Sequence, residues 1–441
     1  MKSTTMKNLI TFLSLFFLLV DLTAQNNAIV PKKGWNIGFL PAVAYDSDLG
    51  VYYGIIINPF DYGDGSVYPN YLQSVYLQIS GYSKGSSEHA LEYETYSLLP
   101  SIRFTARLKY QGYKAYPFYG FNGKESIYRP EWEDEESSMY KTRMFYRIEK
   151  KNLKVSADLQ DTIGHSNFMW QAGWAMGSCR VAPVNIHRMN SRLSGDKVLP
   201  DTASLYDNYV SWGLIAEDEK EGGVVNTLMA GLVYDSRDRF TNPQKGLYTE
   251  INIRYMPSFL TRGGYSDLSL GLIHRQYITL VAGRMIFAYR VWFNASLSGN
   301  QPFYARQQLV SFRNTEGFGG SNTLRGVLMQ RIVTRDFLLT TAELRSRLVN
   351  FRFINQNWYF GAIAFIDAGK IIRPLKINFG NVPAAEVNSY FAPPDKTLHK
   401  SAGAGIKLAM NENFVLSAEY AVAFDRQDGT SGLYLGLNYQ F

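Results

Sequence analysis

Cysteine is almost absent. Cys179 is the only one in 441 residues, so no disulfide framework can organise the fold. The five histidines, His89, His165, His187, His274 and His399, have no partner at a metal-like spacing. There is no Gly-x-Ser-x-Gly elbow and no phosphate-cradling loop. The sequence therefore predicts a protein that is not an enzyme, with no catalytic residue, no cofactor and no metal. Beyond the N-terminus no stretch approaches the ~18 apolar residues of a membrane-spanning helix, which excludes a helical membrane protein. A block of basic residues is missing as well. Lys and Arg number 45 against 38 Asp and Glu, and the net charge of +7 is spread along the chain. That excess suits at most a weak attraction to anionic lipid headgroups, lipopolysaccharide included, and excludes a nucleic-acid footprint. The acidic stretches 131–136 and 217–221 are read as solvated loop charge.

What is present starts with a leader. Lys2 and Lys7 precede the apolar run Leu9–Val20, and Leu22-Thr23-Ala24-Gln25 follows. This is the layout of a secretory signal peptide over 1–24, with cleavage after Ala24 and export of 25–441. The run is too short to span a bilayer as a helix.

The exported part is rich in Tyr (31), Phe (27) and Gly (37), which favours strands, turns and aromatic girdles at a membrane surface. Its main signal is alternation with period two, in segments of about ten residues. Over 432–441, Leu433, Leu435, Leu437, Tyr439 and Phe441 share one face, opposite Tyr434, Gly436, Asn438 and Gln440. Over 414–424, Phe414, Leu416, Ala418, Tyr420, Val422 and Phe424 oppose Val415, Ser417, Glu419, Ala421 and Ala423.

Strands are expected near 35–45, 49–60, 71–84, 88–98, 101–112, 140–160, 167–179, 224–236, 246–257, 266–280, 283–297, 336–350, 357–370, 400–410, 414–424 and 432–441. Treating 140–160 as one strand puts the longest connections, 113–139, 180–223, 298–335 and 371–399, on one side, as a barrel with long outer loops requires. The expected fold is all-β: a transmembrane antiparallel β-barrel of about sixteen strands. Hydrocarbon leaves no partner for a bare sheet edge, so the first and last strands must pair or the edge must have a use. Gly38 and Pro41 would weaken pairing of the first strand.

Several motifs resemble the Omp85 superfamily (the BamA/TamA or surface-antigen D15-like group) of Gram-negative bacteria. One is Gly231-Leu-Val-Tyr-Asp235-Ser-Arg237-Asp238, followed by Pro243 and Lys245-Gly246. A second is Gly317-Phe-Gly-Gly-Ser-Asn-Thr-Leu324-Arg325-Gly326-Val327. A third is the Asp-Ala-Gly strand Phe365-Ile-Asp367-Ala-Gly369, and the fourth is the terminal Phe441. They fall in family order over about 210 C-terminal residues.

The resemblance implies that the loop before the twelfth strand folds into the barrel and docks its tip, Leu324, Arg325 and Gly326, on the inner wall. Asp367 is the implied partner, with Glu343 a plausible second. A guanidinium fork suits two-point pairing with a carboxylate. Val327 departs from the family, where an aromatic residue is more usual. Asp235, Arg237 and Asp238 would order a turn or simply end a strand. Phe441, with Tyr439, would form a C-terminal signal for the barrel-assembly machinery that inserts the protein itself. The stretch Asn26–Gly34 is too short for a POTRA domain, so a barrel-only member is expected.

The implied role is insertion, assembly or translocation of unfolded outer-membrane or surface proteins, through a weak seam between strands one and sixteen. The alternatives are a passive porin-like channel and a structural surface protein acting through its outer loops.

Overall fold

The computed structural model describes residues 30–46, 50–99, 102–191, 193–306, 308–309, 315–394 and 397–441. The leader at 1–24 lies outside them. Sixteen strands form one antiparallel sheet in chain order. They are β1 (Trp35–Asp46), β2 (Gly50–Asp61), β3 (Gln73–Tyr82), β4 (Ser87–Leu99), β5 (Ile102–Pro117), β6 (Arg147–Thr162), β7 (Phe168–Pro183) and β8 (Gly222–Asp235). Then follow β9 (Gly246–Met256), β10 (Ser266–Val281), β11 (Met285–Asn300), β12 (Asp336–Phe353), β13 (Gln356–Arg373), β14 (His399–Met410), β15 (Phe414–Ala423) and β16 (Ser431–Leu437).

The period-two pattern produces a wet interior and an apolar outside. On β6, Lys150, Asn152, Lys154, Ser156, Asp158 and Gln160 are all buried. On β9, Glu250, Asn252 and Arg254 face in, while Ile251, Ile253 and Tyr255 are exposed. The exposed residues continue round the sheet through Ile37, Phe39, Leu91, Leu108, Leu232, Ile366, Ile406, Leu433 and Leu435. In water such a surface would be unfavourable by about 25 cal/mol per Å² of apolar area, whereas against lipid it is matched.

The connections 118–146, 184–221, 301–335 and 374–398 lie on one side, which is therefore the outer side. Residues 140–146 belong to the first of these loops, and β6 starts only at Arg147. Phe145 and Tyr146 are drawn into a large aromatic cluster with Phe118, Trp132, Tyr209 and Tyr390 that caps the outer mouth. Cys179 is buried in the same cluster.

The two ends of the sheet meet. β1 pairs with β2 over twelve residues, and Pro41 sits opposite Ile55 without breaking the ladder. The short partner is β16, which pairs with β15 only from Ser431 to Leu437. The expected continuation to 441 fails at Asn438, whose φ of +65° turns the chain out of the sheet. Asn is among the few residues that tolerate this conformation. Below that point Phe414 of β15 reaches β1: a β-carbon at Gly38 would fall 2.3 Å from its ring. Leu40, Leu416 and Leu437 pack in the same cluster. On the inner side the 62–72 connection reaches the turn after β14, where Asn413 Nδ2 donates to Tyr62 Oη (3.0 Å) and the Pro69 carbonyl (2.5 Å).

Candidate functional site

The 301–335 loop folds into the barrel and places a tight tip against β12, β13 and β15. Leu324 and Val327 are buried with Phe318, Ile332, Trp292 and Phe337. Valine thus fills the position where an aromatic residue was the family norm. Two glycines make the docking sterically feasible. Gly326 has φ +87°, and a β-carbon there would lie 2.9 Å from the Val422 backbone of β15. A β-carbon at Gly369 would lie 2.9 Å from Leu324 Cδ1. Only glycine combines positive φ with so close a backbone approach.

Arg325 is 0% exposed. Its Nε and Nη2 grip Asp367 Oδ2 and Oδ1 at 2.9 and 3.0 Å, and its backbone N–H donates to Oδ2 at 3.1 Å. Nη1 donates to Glu419 Oε2 at 2.9 Å and lies 3.0 Å from Glu343 Oε1. The guanidinium also lies over the Phe365 ring, 3.3 Å from its centroid. Burial opposes a charge here, but Asp367, Glu343 and Glu419 outweigh it and hold the Arg325 pKa above its ordinary value.

Two further cations complete the group. Arg345 pairs with Glu343 at 2.7 Å, and Lys407 pairs with Glu419. Three cations (Arg325, Arg345, Lys407) thus meet three carboxylates (Asp367, Glu343, Glu419). Sequence reasoning placed Asp367 and Glu343 beside Arg325 but missed Glu419, Lys407 and Arg345. The alternation had already put Glu419 opposite the apolar face of its strand. What it lacked was the register Lys407–Ser417 that brings the two strands together.

The segment after β16 is a second departure. Tyr439 and Phe441 were expected on the lipid face and instead turn into the lumen. Tyr439 Oη lies 3.3 Å from Tyr359 Oη, with Arg345 4.3 Å from its ring centroid. Phe441 lies beside Arg345 and Arg290, at 4.9 and 5.1 Å, and its carbonyl accepts from Arg345 Nη2 at 2.8 Å. The turn at Asn438 exchanges the two faces, and lumenal cations offer the aromatic faces a favourable partner. Gln440 Nε2 donates to the Ser321 and Thr323 carbonyls of the loop, at 3.1 and 3.0 Å. Tyr434 Oη of β16 accepts from the Gly326 N–H at 2.7 Å.

Asp235, Arg237 and Asp238 form an ordered turn apart from this site. Arg237 Nε and Nη2 grip Asp235, at 2.9 and 2.6 Å, and Asp238 Oδ1 accepts from the Gln244 and Lys245 N–H groups. Phe240 of that turn stacks on Tyr96, with centroids 4.8 Å apart, at the edge of an inward-facing cavity of about 660 Å³. Above the tip, Arg331 is fully buried and donates to the carbonyls of Gln427, Gly123 and Ser126, tying the loop to the outer cap. The lumen therefore opens inward and is covered outward.

The family model for the Omp85 superfamily domain matches residues 120–441. Among solved structures the chain is similar to CdiB from Escherichia coli, with TM-score 0.53, 10% identity, 92% of this chain and 62% of that one. BamA from Haemophilus ducreyi lacking POTRA domains 1–3 gives TM-score 0.49 and 16% identity over 92% and 69%. CdiB from Acinetobacter baumannii gives 0.43 and 11% over 92% and 66%. No curated protein matches this chain significantly. The family match covers well over half of the chain, and the sixteen-stranded sheet with its apolar outside agrees with it: this protein belongs to the Omp85 superfamily and is an integral β-barrel of the outer membrane.

Proposed function

We propose that the barrel assists insertion or translocation of outer-membrane proteins by opening between β1 and β16. The observation that carries this reading is the inequality at the ends of the sheet. β1 has twelve paired residues on its β2 side, whereas β16 has seven on its β15 side before the chain leaves the wall. A last strand so briefly held to its neighbour can swing its outer edge toward a client strand, which adds by β-augmentation. Exchange of hydrogen bonds and apolar contacts suffices, so no covalent chemistry enters.

The weakness lies in β16 and in the aromatic contact below it, not in Pro41. A porin-like role is not favoured, because the lumen holds a docked loop and the outer mouth is covered by aromatic side chains.

The test is a reversible lock. Gly38→Cys combined with Phe414→Cys would be oxidised in vesicles, and insertion of an unfolded client barrel followed by its protease resistance. Locking should abolish insertion and reduction should restore it. Full activity of the locked barrel would refute opening at this seam.

A further inference from the structure

Three arginines from different elements converge on the outer end of β11. Arg335, just ahead of β12, donates to Ser296 Oγ and the Gly299 carbonyl, both at 3.1 Å. Arg373, at the end of β13, reaches the Ser296 carbonyl and pairs with Asp336. Arg306, in the helical turn Phe303–Arg306, donates to Asn300 Oδ1. With the exposed Lys376 they line a crevice of about 490 Å³ under the outer loops.

Its charge is unbalanced. Of the four lining cations only Arg373 has a carboxylate partner among the described residues, Asp336, and the single lining carboxylate, Glu219, already accepts from the Phe303 and Ala216 N–H groups at 2.7 and 3.2 Å. Among the described residues neither Arg306 nor Arg335 has a carboxylate within ion-pair distance. Burial depresses the Arg306 pKa, Glu219 does not restore it, and Arg335 adds to the depression. Two guanidinium groups that repel one another in a partly enclosed space are stabilised by an anion between them, and a phosphate accepts their parallel N–H donors.

The surroundings indicate the anion's source. Leu297 and Ile372 are sequence neighbours of Ser296 and Arg373 on the opposite, lipid-facing side of the wall, where they are 55% and 48% exposed. Acyl-chain surface and cationic crevice are therefore one wall apart, at the outer rim.

We propose that this crevice binds the phosphate of an outer-leaflet glycolipid. Lipid bound there would bridge β11, β12, β13 and the loop turn at Arg306, bracing the wall on which the plug docks.

The full chain in uncharged detergent would be titrated with a bis-phosphorylated glucosamine glycolipid, its dephosphorylated counterpart and inorganic phosphate. Native mass spectrometry would read occupancy. The phosphorylated lipid should bind about tenfold tighter than the dephosphorylated one, a difference of ~1.4 kcal/mol. The double variant Arg306→Gln/Arg335→Gln should lose that preference. Lys376→Glu, at an exposed position that leaves the fold undisturbed, should weaken binding roughly threefold by the loss and reversal of one screened charge. Equal affinity for both lipids would overturn the proposal. So would unchanged binding in Lys376→Glu, which decides the matter if the arginine variants do not fold. Inorganic phosphate that binds as tightly as the phosphorylated lipid would overturn the lipid as its source.

Discussion

The wall from β12 to β15 and the seam between β16 and β1 belong to one sheet but are held in opposite ways. The first holds its plug through a buried, charge-balanced group in which one guanidinium serves three carboxylates. At the second, β16 keeps only seven backbone pairs to β15, and the contact with β1 is an aromatic ring against a glycine and a few apolar side chains. Charge networks with fixed geometry resist partial opening, because every lost partner leaves another group buried and uncompensated. Apolar contacts separate with smaller loss, since no charge is left buried without a partner. The contrast places rigidity where the loop docks and compliance where a client strand would enter.

The sharpest way to break this comparison is Arg325→Ala. It leaves three buried carboxylates with two cations and should cost about 4 kcal/mol. Planar-bilayer recording should show a larger, noisier conductance than the parent, and urea unfolding followed by heat-modifiable gel mobility should shift to lower concentration. An unchanged trace would mean that the charge group does not hold the plug.

Phe414→Ala should cost about 3 kcal/mol, the usual loss for emptying a buried aromatic site. It should act on the seam alone: a cysteine placed at 38 should label faster with a water-soluble maleimide, while conductance stays at the parent level.

Gly326→Ala should follow at about 2 kcal/mol, since its β-carbon meets the Val422 backbone. Its expected signature is intermediate plug opening with an intact seam, scored by protease cleavage within 317–327. The smallest effect should come from Gln440→Ala, about 1 kcal/mol for two hydrogen bonds to loop carbonyls. Yet it lies on the segment that runs on from β16, so a double-mutant cycle with Phe414→Ala should be non-additive. Strict additivity would show that plug and seam act independently.

The sequence was informative wherever the physics is local and periodic. Alternation located the strands because one face must meet lipid and the other water. The Arg325 partners were legible because a charge carried into the lumen needs carboxylates on the facing strands, and Asp367 and Glu343 stood on them. Glu419 was visible as standing opposite the apolar face but not as a partner, because alternation assigns a face and not a register. The end of β16 was misread for a related reason. Leu433, Leu435, Leu437, Tyr439 and Phe441 keep perfect alternation, and a single residue with positive φ, Asn438, cancels it. The aromatic cap and the crossing 62–72 connection depend on contacts between residues hundreds of positions apart, such as Asn413 with Tyr62 and Pro69. No short-range pattern announces those.

The pairing of three cations with three carboxylates at Arg325 has an electrical consequence. With the tip in place these six charges cancel one another. Withdrawing it removes one cation and bares the carboxylates that it held, and such groups lining a passage favour permeation by cations. A transiently unplugged barrel would then conduct potassium in preference to chloride, and a salt gradient across the bilayer would reveal this as a reversal potential of matching sign.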